Sequence, residues 1–288
     1  MLQDPSAASN DAAPLLIGAA LMVSGLVLGR LIVSGAKLAI PERNNFFARW
    51  GFTKAVTVFV VFLLGQFIAP VLFASLGLER SLAIDFLLMA LIFAGPAAMI
   101  VHYARTLDPD GVRCLGFRRE GSARAALFAI VTYALLVPGL FGTLLVWPQV
   151  VAGLGGEPEL QQSLTGFFEL EGGQLVLPIL FAVVILPFFE ELVFRAFLQP
   201  LFVQNFRETG GVVITSILFA GLHGVSAFLP VFALSLILGG VMLRTQRFVS
   251  CWAVHALHNG LTLALAMSLP GAREVFDPQA ILPLFLRS

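Results

Sequence analysis

The sequence predicts an all-α, polytopic integral membrane protein of about eight transmembrane helices. Three observations carry this prediction. Only 12% of the residues are charged and 58% are hydrophobic, whereas a soluble domain carries about 25% charged residues. Such a chain cannot cover its surface with polar groups, so lipid must be its solvent. The apolar residues fall into runs near the ~20 residues that a helix needs to cross the hydrocarbon. The basic residues alternate from one side of these runs to the other.

Eight segments meet or approach the spanning length: 13–35, 55–78, 82–103, 123–148, 174–203, 210–226, 228–244 and 249–269. A span must satisfy its own backbone hydrogen bonds, which makes helix the expected state. The first segment is read as a retained helix, because Asp4 and Asp11 precede it with no Lys or Arg, unlike the basic start of a secretory signal. The sixth and seventh segments are parted only by the turn around Ser226, with Pro230 opening the latter. The division is a polar tail over 1–12, a single transmembrane domain over 13–270 and a C-terminal tail over 271–288.

The loops after the odd-numbered spans hold Lys37, Arg43, Arg49 and Lys54, then Arg105, Arg113, Arg118, Arg119 and Arg124, then Arg207, then Arg244 and Arg247. The opposite side carries Glu157, Glu159, Glu169 and Glu171, and only Arg80, Arg273 and Arg287 break the pattern. The positive-inside rule then places both termini outside. A zero formal net charge argues against a nucleic-acid partner. Cys114 and Cys251 form neither a disulfide framework nor a metal-ligand pattern. The compact chain, rich in Ala, Leu and Gly, fits a prokaryotic inner membrane.

Few ionisable residues remain at membrane depth: Asp85, Glu190, Glu191, Arg195, His223, His255 and His258. Ionisable groups at this depth are functional candidates by default. Asp85 and His102 lie near span ends and read as interfacial. In LPFFEELVFRAF, Glu191 and Arg195 are four apart with the acid first, the favourable order for an ion pair along one helix face. Glu190 points ~100° away from that pair. Either it is neutral, or its partner comes from another helix.

In FAGLH, Phe219 and His223 share a face; in HALHN, His255 and Asn259 do. Three helices can therefore converge on one cavity, with His223 as the expected partner of Glu190 and His258 rotated off the His255 face. Pro187 is expected to free a carbonyl near Val183 and to kink or widen the helix beside the acids. Counted from Gln174, Glu190 lies ~24 Å along its span, past the midplane towards the positive side.

EELVFR, FAGLH and HALHN, in this order, resemble the EExxxR, FxxxH and HxxxN motifs of the CAAX protease and bacteriocin-processing family. These are the Abi-type intramembrane proteases, similar to Ras-converting CAAX endoproteases. The resemblance covers 174–265, and LGFRR (Leu115–Arg119) is similar to a loop common in these proteins. It implies eight spans around an active-site cavity open to the cytosol, and a peptidase. Glu190 would then be the general base on a water, assisted by His223. Glu191 and Arg195 would support and orient the site, and Phe219 would be a contact beside His223. His255 and Asn259 would stabilise the oxyanion. The substrate classes left open are a prenylated C-terminal tail, a leader peptide and the end of another membrane protein.

The chemistry needs an activated water and donors aimed at the developing oxyanion. Ser216 and Ser226 lack a paired base, which favours direct attack by water over a covalent intermediate. A zinc enzyme would use Glu190, His223 and His255 as ligands, although the HExxH helix is absent; the favoured reading has no cofactor. The non-enzyme readings are a proton-coupled transporter, for which a repeated half is missing, and a binding protein of the immunity kind.

Overall fold

The central helix of the fold is the one that carries the acids. In the computed structural model, which describes residues 5–35, 48–77, 82–157, 167 and 172–268, every residue from Leu192 to Leu198 is buried. All the regular elements among the described residues are helical. They are α1 (Pro5–Gly35), α2 (Phe52–Ser75), α3 (Leu82–Leu107), α4 (Ser122–Gly153), a continuous run Gly172–Gly221, and after it Phe228–Thr245 and Phe248–Ser268.

The long run is two helices. Phe206 (φ −124°) and Arg207 (φ 63°, ψ 172°) leave the helical region, and a positive φ is costly for a residue with a Cβ. A Cβ on Gly211 would collide with the Val203 backbone nitrogen, so the chain after Arg207 folds straight back onto the helix before it. We therefore separate α5 (172–205) from α6 (208–221). The sequence expected a connecting loop from 204 to 209. Two residues suffice because glycine lets the backbones touch.

The turn after α6 passes through Gly224 (φ 79°) and a short 3₁₀ segment, Val225–Ala227, into α7 (Phe228–Thr245) and then α8 (Phe248–Ser268). Pro230 sits in the first turn of α7, where backbone N–H groups have no intrahelical acceptor to lose.

Among the described residues, four helical stretches are long and apolar enough to cross a membrane: Ser122–Gly153, Gly172–Gly221, Val225–Thr245 and Phe248–Ser268. Shorter apolar stretches are Ala13–Gly29, Phe52–Gly65 and Leu91–Leu107. Only 28–33% of the residues in the four apolar windows are buried. The remaining apolar surface faces outward, as lipid solvation requires. The protein is thus an all-α, multi-pass integral membrane protein. The basic residues Lys37 and Arg43, the acids Glu159, Glu169 and Glu171, the side chain of Asp85, residues 1–4 and the tail over 271–288 lie outside the described residues, while residues 5–12 of the expected N-terminal tail are helical and open α1.

Two apolar clusters hold the bundle. The larger joins α2, α3 and α6 to α5 through aromatic rings: Trp50 stacks on Phe197 at 4.5 Å, Phe93 on Phe189 at 5.1 Å, and Phe194 meets Phe219 edge-on at 5.0 Å. The Trp50 indole also donates to the Phe197 carbonyl at 3.1 Å. The smaller cluster joins α4, α7 and α8 around Tyr133, Leu238, Met242 and Val254. α1 approaches α4 at glycines, where a Cβ on Gly25 would come within 2.8 Å of Gly139 Cα.

The connection between α3 and α4 is tied to the α7–α8 turn. Gly116 (φ 89°) accepts a hydrogen bond from the Phe248 N–H at 3.0 Å, and Arg247 Nε donates to the Glu120 carbonyl at 2.7 Å. Within the connection, Arg118 pairs with Asp110 at 2.8 Å and Arg113 with Glu120 at 3.4 Å; Ser122 Oγ donates to the Arg118 carbonyl. Phe117 lies 4.6 Å from Phe248 and 6.1 Å from Phe188 by ring centroids. The loop noticed as LGFRR therefore reaches the helix of the acids.

Candidate active site

The backbone of α5 departs from α geometry on both sides of the acids. Phe181–Ile185 and Leu192–Leu198 are π-helical turns flanking Leu186–Glu191. Pro187 has no N–H, so one carbonyl a turn earlier, that of Ala182 in the π register set by Leu186 N–H to Phe181 O, lacks its backbone donor. α8 supplies two side-chain donors to that turn. Asn259 Nδ2 donates to the Ala182 carbonyl at 2.9 Å and Trp252 Nε1 to the Val184 carbonyl at 3.0 Å. The expected widening beside Pro187 is present, as a π turn of a kind frequent at functional sites.

On this frame Glu191 is fully buried. Its Oε1 accepts from His255 Nδ1 at 2.9 Å, and its Oε2 lies 3.4 Å from Arg195 Nε. Arg195, also fully buried, donates through Nη2 to Ser235 Oγ at 2.9 Å and sits 5.1 Å from the centre of the Phe219 ring. A buried charge is tolerated only when paired and hydrogen-bonded. Here one carboxylate, one guanidinium, one imidazole and one hydroxyl from three helices pair the charges, while Glu191 Oε2 and Arg195 Nε and Nη1 make no hydrogen bond among the described residues.

Glu190 is 13% exposed at its side chain, and its Oε2 lies 3.6 Å from His255 Nε2. Because Nδ1–H of His255 is given to Glu191, Nε2 is the atom presented to Glu190. His255 therefore bridges the two adjacent glutamates. The sequence had paired Glu190 with His223 and left Glu191 to Arg195. The Glu191–Arg195 pair is found as expected, while the imidazole in contact with Glu190 comes from α8.

His223 stands slightly apart. Its Nδ1 is 2.8 Å from the Phe219 carbonyl of its own helix. A carbonyl only accepts, so Nδ1 carries the proton and Nε2 of the neutral ring is a base. His223 lies within Coulomb range of Glu190. Phe219 is 4.7 Å from the His223 ring and 5.8 Å from the His255 ring, and so spaces the two imidazoles. Asn259 commits one amide hydrogen to Ala182 and retains the other. His258 is turned to α4, where Nδ1 meets Tyr133 Oη at 3.0 Å.

Ser235, Trp252 and Tyr133 complete the arrangement and were not singled out by sequence. Ser235 is a lone hydroxyl in an apolar run, ALSLIL, and that was its only signal. As for a metal, no group of three or more His, Cys, Asp or Glu in holding geometry occurs among the described residues. His255 has both ring nitrogens turned to glutamates, so Glu190, His223 and His255 do not converge as a free three-ligand set.

The architecture and site define an all-helical membrane protein with a buried Glu–Arg–His cluster beside a partly exposed glutamate. Residues 172–261 match the family described as type II CAAX prenyl endopeptidase, Rce1-like. The match contains every motif residue from Glu190 to Asn259. No curated protein and no solved structure matches the chain.

Proposed function

We propose that this chain is an intramembrane endopeptidase of the CAAX-protease type, in which Glu190 activates a water for direct attack on a peptide carbonyl. One observation carries the reading: a fully buried glutamate holds His255 so that its other nitrogen faces Glu190 at 3.6 Å. Glu190 takes a proton from water, assisted by Nε2 of His223. The hydroxide attacks the carbonyl, and the oxyanion is received by the Nε2–H of His255, whose ring then carries both protons with Nδ1–H kept on Glu191, and by the remaining N–H of Asn259. Glu190 then returns the proton to the departing amine. Glu191 and Arg195 position His255 without touching the substrate.

The reading places eight crossings within a single domain over 13–270, both termini outside, and the site nearer the cytoplasmic face of a prokaryotic inner membrane. The substrate is a membrane-associated peptide, with a prenylated C-terminal tail ahead of a leader peptide because the family match is to prenyl endopeptidases.

The test is cleavage of a farnesylated peptide, its unprenylated twin and a leader peptide by the purified protein and by Glu190→Gln. General acid–base catalysis contributes about 10²–10⁴-fold, so Glu190→Gln should lose at least about 10²-fold while eluting and melting like the parent. Undiminished cleavage by that variant would sink the assignment. Metal content and chelator sensitivity of the active protein test the zinc alternative separately.

A further inference from the structure

A long apolar slot lies on the face of α7 turned away from the acids. It encloses about 410 Å³ between α1, α4 and α7, within the ~300–1,000 Å³ range of small-ligand sites. Its lining on α7 runs from Leu229 to Arg244, ~22 Å of helix at 1.5 Å per residue. Ser235 and Gly239, which face Arg195 and Gln199, take no part in the lining, so the slot is separate from the candidate active site. A volume of this size drawn out over the length of a helix is one hydrocarbon chain wide.

The slot is apolar along its length, and among the described residues its single charged lining residue is Arg244, in the last turn of α7. Phe128 lines the slot from α4, and the exposed Arg124 lies one turn before it. Both arginines belong to the side on which the chain concentrates its basic residues. An apolar trough ending in cationic side chains complements a molecule with a hydrocarbon tail and an anionic head. The surrounding bilayer supplies such a molecule.

The geometry points to a binding site for an anionic phospholipid of the bilayer, with one acyl chain in the α1–α4–α7 slot and its phosphate at Arg244.

The test offers the full-length protein an equimolar mixture of phosphatidylglycerol and phosphatidylcholine with identical chains in detergent, and counts retained lipid by native mass spectrometry. The parent should retain phosphatidylglycerol with about fivefold preference, the selectivity of one basic residue near a headgroup. Arg244→Gln should retain both lipids equally. At Gly240 a Cβ would meet nothing within 4 Å, so Gly240→Leu should fill the slot and lose both lipids while melting like the lipid-free parent. If that variant does not fold, Ala233→Leu on the same lining gives the reading. Parental lipid retention by a folded slot-filling variant overturns the proposal, as does the absence of headgroup preference in the parent. Displacement of phosphatidylglycerol by a farnesyl-cysteine methyl ester also overturns it, since the slot would then take a prenyl chain.

Discussion

Glu191 Oε1 and His255 Nδ1 lie 2.9 Å apart, with both side chains almost wholly inside the protein. Glu191 thus serves two partners, His255 on α8 and Arg195 one turn along its own helix. Removing one member leaves the others charged and uncompensated. Arg195→Met should lower stability by about 3–5 kcal/mol, and Glu191→Leu combined with Arg195→Met should recover part of that loss. Denaturation of the three proteins in one detergent measures both effects. An undiminished single variant would show that the pair is not held as described.

Ser235 gives a finer test of the same network. Its hydroxyl is the acceptor for Arg195 Nη2, and both residues are fully buried. Ser235→Ala should cost about 1–3 kcal/mol, the penalty of an unsatisfied buried donor. Ser235→Thr, which keeps the hydroxyl, should cost less if the added methyl group is accommodated. The difference between the two melting curves separates the hydrogen bond from general disturbance of α7.

Gly211 tests the reversal between α5 and α6. A Cβ there would collide with the backbone of Val203, which cannot swing aside as a side-chain tip can. Gly211→Ala should destabilise by about 1–3 kcal/mol or more, whereas Gly221→Ala, where a Cβ meets nothing within 4 Å, should be mild. Equal melting of the two variants would contradict the close packing.

The loop before α4 carries the pH dependence. Burial, and then the Asp108 and Asp110 carboxylates, push the Cys114 thiol up from 9.0 to about 12. The folded state therefore favours the neutral thiol. Its contribution to stability is full below about pH 9 and is lost as pH rises towards 12. In a Cys251→Ala background, alkylation of Cys114 at pH 8 should be about a thousandfold slower than in the unfolded chain, the ratio of thiolate populations.

Glu120 acts at the other end of the scale. Its carboxyl is held below 4.5, first by its own backbone N–H and then by the Arg113 guanidinium. That contribution is present above about pH 4.5 and is lost in more acid solution. Faster alkylation of Cys114 after brief acid exposure would report loosening of this loop.

Much of the site was legible because helical spacing is local. Four-residue intervals placed Glu191 with Arg195, and the same rule put Phe219 near His223. The partner of Glu190 was not legible. It depends on how α8 is rotated against α5, and the π turns around residues 181–185 and 192–198 alter that setting. No residue type announces them apart from Pro187. Several helix ends were read within a few residues, but α1 begins at Pro5 rather than 13, α4 continues through Pro148 to Gly153, and α6 ends at Gly221 rather than 226, because proline and glycine mark an end only where packing also stops the helix. The abrupt return at Arg207 was not read, because it rests on a strained backbone angle and on contact between distant parts of the chain.

Trp252 and Asn259 are seven residues apart on α8 and grip two carbonyls of α5, at Val184 and Ala182. Two grips two turns apart work like a vernier. Sliding α8 by one residue, ~1.5 Å, or turning it by a small angle would release at least one of them. His255 lies between the grips in sequence. The imidazole is thus indexed in height and in rotation by two backbone carbonyls of the opposite helix, one of them left open by the missing N–H of Pro187.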